Sequence, residues 1–413
     1  MRFELRPKLV AVHRWAGLTI ALFLVLAGLT GSIMVWNDDL EAFVRPDLFI
    51  SRPAPGQQAI DPLILRERVL KVYPDAQIPY APLRHDVGGT LMFRLTPRDD
   101  LKKALEVDQV FVDPYRGEIV GQRKWGDISE GSKNLLPFIY RLHKSLALEK
   151  VGSYLLGIVA LIWTLDCFIG AWLTLPQRRK PTERRTFQDW CKRWGTAWKV
   201  KRKATPLRRN YDLHRAGGLW PWAMLFVLAW SSVAFNLPEV YEPVMRTLLA
   251  SPREAMAAAP ATPPNDSSPM PWNEAREKGR QLMQEFARDA GFDIVWEGAL
   301  VHFPKHRAYR YDVHSSLDVR ASGSKTRVLF DDTSGELRLR AKASGDNAAD
   351  TTRMWITAIH LADLWGLPFR ILIFLMGGVV VMLSVTGIYL WWKKRYSRTK
   401  ARHQVVQAGQ GVR

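Results

Sequence analysis

Two cysteines in 413 residues leave little room for sulfur chemistry. There is no C-x-x-C-H for covalent c-type haem attachment, and no C-x-x-C pair for zinc or an iron–sulfur cluster. Cys167 lies in an apolar run and Cys191 in a basic stretch, so no structural disulfide is expected. Acidic residues are also scarce, 40 Asp and Glu against 59 Lys and Arg, a net charge of +19. Such a balance points to nucleic acid only if the basic residues form a general binding surface. They do not: residues 1–14, 176–215 and 393–413 hold 25 of the basic residues and 4 of the acidic ones, leaving 34 basic against 36 acidic elsewhere. The excess lies beside apolar segments, as the positive-inside rule requires of short cytoplasmic flanks. A nucleic-acid partner is therefore excluded. No G-x-G-x-x-G follows an expected strand, and the basic loop is too short for a flavin domain.

What the chain does have is long apolar runs: Trp15–Trp36, Val151–Leu175, Leu219–Leu237 and Phe369–Trp392. Each approaches or exceeds the ~20 residues that cross a bilayer core. Asp166 and Arg370 are the main charged interruptions. The basic stretches precede the first run, separate the second from the third and follow the fourth. This arrangement predicts four crossings with both termini in the cytoplasm. The first run is longer than the roughly 7–15 residues of a signal-peptide core, so it is expected to be an uncleaved anchor in the lipid bilayer.

Two regions, about 37–140 and 238–352, fall on the outer side. In each, a helical pattern (from Ile60 and from Asn273) precedes alternating strands such as T-L-M-F-R-L and A-Y-R-Y-D-V-H. F-V-D-P-Y-R-G-E from Phe111 aligns with L-F-D-D-T-S-G-E from Leu329, and Gly117 and Gly335 each follow an Asp by four. A strand–turn–strand corner is expected at both. A loop rich in Pro and Ala, from Ser251, precedes the second helix. The expected order is membrane helix 1 (1–36), outer domain 1 (37–140), membrane helix 2 (141–176) and a basic cytoplasmic loop (177–212). Then come membrane helix 3 (213–237), outer domain 2 (238–352), membrane helix 4 (353–393) and a cytoplasmic tail (394–413).

The membrane segments repeat as well. H-R-W-A-G-L at His13 matches H-R-A-G-G-L at His214, and R-L-H-K-S-L around His143 corresponds to A-I-H-L-A-D-L-W around His360. A duplicated unit of this kind sets related helices about an axis along the membrane normal. A single histidine at a helix threshold is accounted for by the headgroup region. Four at matched positions are not, because ionisable groups near lipid are costly and mark function. Topology pairs His13 with His214 at an inner level and His143 with His360 at an outer one. Facing neutral imidazoles suit an axially ligated haem iron. Zinc or copper would want further ligands, and none is grouped nearby. Ala16, Gly17, Gly217 and Gly218 leave room for a flat ring, with Trp15 and Trp220 at its edge. Arg14 and Arg215 are placed to meet propionates, or equally lipid headgroups. His85, His302, His306 and His314 belong to the outer regions and His403 to the tail.

Duplicated outer modules, four crossings and threshold histidines resemble the PepSY-associated transmembrane family across nearly the whole chain, with a functional likeness to FoxB-type inner-membrane siderophore (ferric) reductases. The resemblance implies an α-helical integral membrane protein with four TM helices in two repeats plus two periplasmic α+β PepSY-like domains. It places the protein in the bacterial inner (cytoplasmic) membrane. It also implies two non-covalent, bis-histidine haem b groups, held by His13 and His214 and by His143 and His360. They would carry electrons outward to a ferric siderophore or other ferric chelate, with no catalytic residue separate from the haem. The electron donor would be a separate reductase, a quinol or a soluble reductant.

One distance strains this picture. From His143 to Pro176, and from His360 to Lys393, is 33 residues. As continuous helix that is about 50 Å, more than a ~30 Å core. Either the helices tilt strongly or a break intervenes, as at Pro368. Tyr154, Trp163, Trp172 and Trp230 are candidates for relay or for plain packing. Two rivals stand beside the reductase. PepSY-like modules also act as regulatory or binding modules, and a siderophore or haem transporter would show broken helices or polar groups such as Asp166 near the midplane.

Overall fold

The computed structural model describes residues 5–98, 105–177, 186–249 and 268–410, with side chains as far as residue 397 in the last helix. The linker expected from Ser251 falls mostly at 250–267, outside the described residues, as does the side chain of His403. In chain order the structure begins with α1 (Leu5–Met34), α2 (Asn37–Val44), α3 (Pro46–Phe49) and α4 (Pro62–Val72). Six short strands follow: β1 (Ala76–Gln77), β2 (Tyr80–Pro82), β3 (Leu91–Arg94), β4 (Thr96–Pro97), β5 (Gln109–Val112) and β6 (Ile119–Arg123). Next come α5 (Leu135–Ser145), α6 (Glu149–Thr174), α7 (Phe187–Gly195), α8 (Pro206–Leu219), α9 (Trp222–Asn236), α10 (Pro238–Leu249) and α11 (Trp272–Ala290). The chain closes with β7 (Ile294–Phe303), β8 (Ala308–Ser315), β9 (Thr326–Asp331), β10 (Leu337–Ala341), α12 (Ala348–His360) and α13 (Leu367–Gln410).

The chain divides into two compact units, one of residues 1–35, 142–241 and 367–413, the other of 36–141 and 242–366. The first is helical. Three of its helices, α1, α6 and the Leu367–Ser397 part of α13, are long and apolar enough to cross a membrane; α8 and α9 make a fourth span if the bent pair is counted as one. That pair bends by 68° at Trp220 and Pro221, where proline has no N–H to give a continuing helix. The sequence suggested one helix over 213–237; the structure instead starts it at Pro206 and breaks it, leaving His214 on α8. Leu22, Leu29, Ile158, Leu165 and Leu375 are exposed. Such a surface is unfavourable in water and natural against lipid. Helix contacts are close: a Cβ at Gly28 would lie 2.8 Å from the Gly377 carbonyl oxygen, so α1 and α13 meet backbone to backbone.

The other unit holds the sheets. Five antiparallel strands run in the order β10-β9-β8-β7-β2, with a three-stranded β3-β5-β6 sheet and a β1-β4 pair. The two regions read from sequence as separate modules share the larger sheet, since Tyr80 of β2 pairs with Val301 of β7. They also share a core, where Leu63, Ala81 and Leu83 pack with Met283, Leu300, Tyr311 and Phe330. Both matched corners form. Asp113 Oδ1 accepts from the Tyr115 and Arg116 amides, and Asp331 Oδ1 from the Thr333 and Ser334 amides. Gly117 and Gly335 then take φ of 73° and 71°, the left-handed region that glycine enters without penalty. Helix starts carry sequence-legible caps: Asp61 accepts from Leu63 N ahead of α4, with Pro62 at its first position.

Candidate functional site

His13, on α1, and His214, on α8, stand with ring centroids 6.0 Å apart and planes at 60°. Their outer nitrogens are committed. His13 Nδ1 lies 2.8 Å from Asp166 Oδ1 on α6; the carboxylate accepts, so the ring nitrogen donates. His214 Nδ1 lies 3.0 Å from the Leu383 carbonyl oxygen and 3.1 Å from Thr386 Oγ1, both on α13. A carbonyl oxygen can only accept, and the Thr386 hydroxyl already donates to Met382 O. Both imidazoles therefore carry their proton on Nδ1 and present a bare Nε2 lone pair. Neither Nε2 has a hydrogen-bond partner among the described residues. Two imidazoles ligating one metal ion from opposite sides through bonds of about 2 Å place their ring centres roughly 6 Å apart, and this pair has that spacing.

Glycine makes room for each ring. A Cβ at Gly170 would lie 3.4 Å from His13 Cε1, and one at Gly387 would lie 3.3 Å from His214 Cε1. Gly170 follows Asp166 by four and Gly387 follows Leu383 by four, so each partner helix offers an acceptor and, one turn on, a glycine. The corresponding positions are 217 residues apart, the same separation as His143 from His360. Sequence reasoning read Asp166 as a charged interruption or as a polar group of a transport path, and passed over both glycines. The 217-residue offset applied to Asp166 was the signal that would have found them.

His143, on α5, repeats the arrangement. Its Nδ1 is 3.0 Å from Thr30 Oγ1, whose hydroxyl donates to Leu26 O, so the ring again donates. A Cβ at Gly31 would lie 2.9 Å from His143 Cε1. His360 ends α12, in the sheet-bearing unit, whereas His143 lies in the helical one. Neither histidine is on a membrane-length helix. The 33-residue stretches are broken, at Leu146 and Ala147 (φ 52° and 57°) and at Ala362 to Gly366. Pro368 falls in the first turn of α13, just after the second break, where its missing N–H is harmless. The first break has no proline or glycine to announce it.

The surroundings of the His13–His214 pair fit the expectations unevenly. Gly17 has nothing within 4 Å of an added Cβ and Gly218 only Leu383 Cδ2 at 3.8 Å, but the space beside Gly217 is filled by the Met382 methyl. Ala16 is half-buried. Trp15 is 55 % exposed under the Arg14 guanidinium, and Trp220 is 71 % exposed with its indole N–H donating to Trp198 O. Arg14 has no ion pair among the described residues. Arg215 is engaged with Asp212 at 3.0 Å, a side chain with no exposure that also pairs with Arg208. Of the aromatic relay candidates, Tyr154 donates to Glu239, Trp163 packs on the core around Leu225 and Met376, Trp172 lies under Arg6, and Trp230 packs on Tyr241. Among the other histidines, His302 bonds Asp332 and stacks on Tyr309, His314 stacks on Trp296, and His85 meets Tyr115 edge-on. His306 lies on the turn after β7. No three His, Cys, Asp or Glu side chains gather as a bare-metal site among the described residues.

A search of curated proteins finds no match to the chain. A family model described as PepSY-associated TM region matches residues 10–394, which span the histidine pair, its acceptors on α6 and α13, and the sheets. On that match this multi-pass membrane protein belongs to the PepSY-associated TM family.

Proposed function

We propose that this protein is a di-haem b reductase of the bacterial inner membrane, of the FoxB type, which passes electrons across the bilayer to ferric iron held by a siderophore or another ferric chelate. In this reading the helical unit makes four crossings in two repeats, both termini are cytoplasmic, and two PepSY-like domains are periplasmic. His13 and His214 would hold one haem and, following the family resemblance, His143 and His360 the other. A bound haem supplies a one-electron ferric/ferrous couple.

The observation that carries the proposal is the inner histidine pair. Two imidazoles with bare Nε2 atoms and ring centroids 6.0 Å apart, their Nδ1 protons anchored on separate helices, suit bis-histidine ligation. Asp166 and the Leu383 carbonyl fix the tautomer and aim the rings; Gly170 and Gly387 let the rings approach α6 and α13 closely. At the acceptor, one electron converts a hard ferric ion to a softer ferrous one, and oxygen donors release it more readily. The electron comes from a separate donor. Mixing the chemically reduced protein anaerobically with a ferric siderophore tests the reaction: re-oxidation of the protein with one ferrous ion formed per electron is expected. A reduced protein that stays reduced would sink the reductase reading.

The 68° break between α8 and α9 is the one observation favouring transport, because transporters bind at discontinuous helices. Asp166, the other polar feature, is tied to His13. A transporter moves its cargo without net electron transfer, so the same mixing experiment separates the two.

A further inference from the structure

The basic stretch 177–212, expected as a loop, carries a row of aromatic rings. Phe187, Trp190 and Trp194 lie on one face of α7, and Trp198 and Trp220 continue the row. Successive centroids are 6.2, 5.3, 5.3 and 5.4 Å apart. Phe187 is 80 % exposed and Trp220 71 %. Lys192 and Arg193 lie in the last turn of α7 and Asp189 in its first. A nine-residue helix cannot cross a bilayer. Aromatic rings on one face and basic residues beside them are the composition of a segment lying in the headgroup layer.

In the same unit is a cavity of about 300 Å³, lined by Arg6, Arg193, Arg215, Tyr211 and the stretch 173–177, which ends α6 and runs just past it. No carboxylate lines it among the described residues. A structural role accounts for part of this. Arg6 donates to Leu173 O and Leu175 O at the negative end of α6, and Arg193 donates to Gln177 O just beyond it. It leaves much unexplained. A guanidinium has five N–H donors, and neither Arg6 nor Arg193 has a carboxylate partner among the described residues. Arg215 Nε is buried with no hydrogen-bond partner among the described residues, a costly state for a charged group's donor.

We propose that this cavity binds the phosphate of an anionic phospholipid headgroup, with the α7 aromatic row seated in the lipid–water interface beside it. Paired N–H donors of arginine match two phosphate oxygens. A phosphodiester in this cavity would give Arg6 and Arg193 a counter-charge and bring an acceptor to Arg215 Nε. Basic pockets at the cytoplasmic ends of membrane helices are a recurrent headgroup-binding chemistry. No histidine is among the described residues that line the cavity, and the proposal does not depend on haem.

Native mass spectrometry and melting of the full-length protein in uncharged detergent test it. Phosphatidylglycerol should be retained and should raise the Tm, whereas phosphatidylcholine at the same mole fraction does neither. Arg193→Gln should weaken phosphatidylglycerol retention about tenfold, and Arg193→Lys, which keeps charge but loses the fork, about threefold. Lys199→Gln, outside the cavity lining, should leave retention unchanged. Equal retention of the two lipids, or wild-type retention by Arg193→Gln, overturns the proposal. So does displacement of the lipid by millimolar inorganic phosphate with the same rise in Tm, which would mark a free-anion site. Haem content, read on the same samples, is expected to be equal in wild type and Arg193→Gln. A colourless protein that still selects phosphatidylglycerol defeats the reductase and leaves this site standing.

Discussion

His13 and His214 occupy matched positions, yet their imidazole protons go to different acceptors. For His13 the acceptor is the Asp166 carboxylate, 8 % exposed; for His214 it is the Leu383 backbone carbonyl, helped by Thr386. The two acceptor positions are equivalent in the repeat, and glycine follows each by one turn. What the repeat keeps is the job, holding Nδ1–H and clearing space for the ring. What it changes is the charge behind the imidazole. A carboxylate makes an imidazole a stronger electron donor than a carbonyl does, so in the proposed haem site the two rings should contribute unequally.

The largest effect is expected from removing either ring. His13→Ala or His214→Ala should lower the haem content of the purified protein from two per chain to one, measured by pyridine haemochrome; an unchanged content would break the pairing. Next come the spacers. Gly170→Val and Gly387→Val push a branched side chain into rings that already sit 3.4 and 3.3 Å from a Cβ, and overpacking of this kind costs about 1–3 kcal/mol. Haem retention on heating should fall for both, and equally if the repeat is functionally symmetric.

The comparison is sharpened by changing only the acceptor. Asp166→Asn keeps an oxygen for Nδ1–H but removes the charge. The haem should remain, and its midpoint potential should rise on the order of 60 mV, equivalent to a tenfold change in relative affinity for the two iron states. Thr386→Val should shift it far less, because the Leu383 carbonyl still accepts. Equal shifts in spectroelectrochemical titration would refute the asymmetry.

The smallest effect belongs to the sheet-bearing unit. Burial raises the Glu297 carboxyl, but hydrogen bonds and charge from Arg276, Tyr311 and Arg280 outweigh it and hold the group down to about 2. Its folded-state value is below the unfolded one, so its stabilising contribution is present above about pH 4.5 and is lost as pH falls towards 2. Glu297→Gln should flatten that part of a stability-versus-pH curve followed by hydrogen exchange in β7. It should leave the histidine pair's spectrum untouched.

Much of this was legible in sequence. The apolar runs and flanking charge gave the membrane helices, and the Asp-to-Gly spacing gave both strand corners. Matching H-R-x-x-G-L put His13 and His214 together, because repetition encodes spatial equivalence. Other features depended on contacts that no local pattern carries. The shared sheet rests on three residues of β2 finding β7. The break after His143 uses Leu146 and Ala147 at positive φ, residues with no turn signature. The amphipathic α7 was concealed by the density of charge around it. Asp166 was seen but lacked a partner until α1 and α6 were packed.

The central claim is that the His13–His214 pair ligates a haem iron. The absorption spectrum of the purified wild-type protein, oxidised and then reduced with dithionite, tests it most directly. A Soret band that shifts on reduction, with sharp α and β bands and two haems per chain, is the predicted result. A protein purified from haem-replete cells without those bands would contradict it.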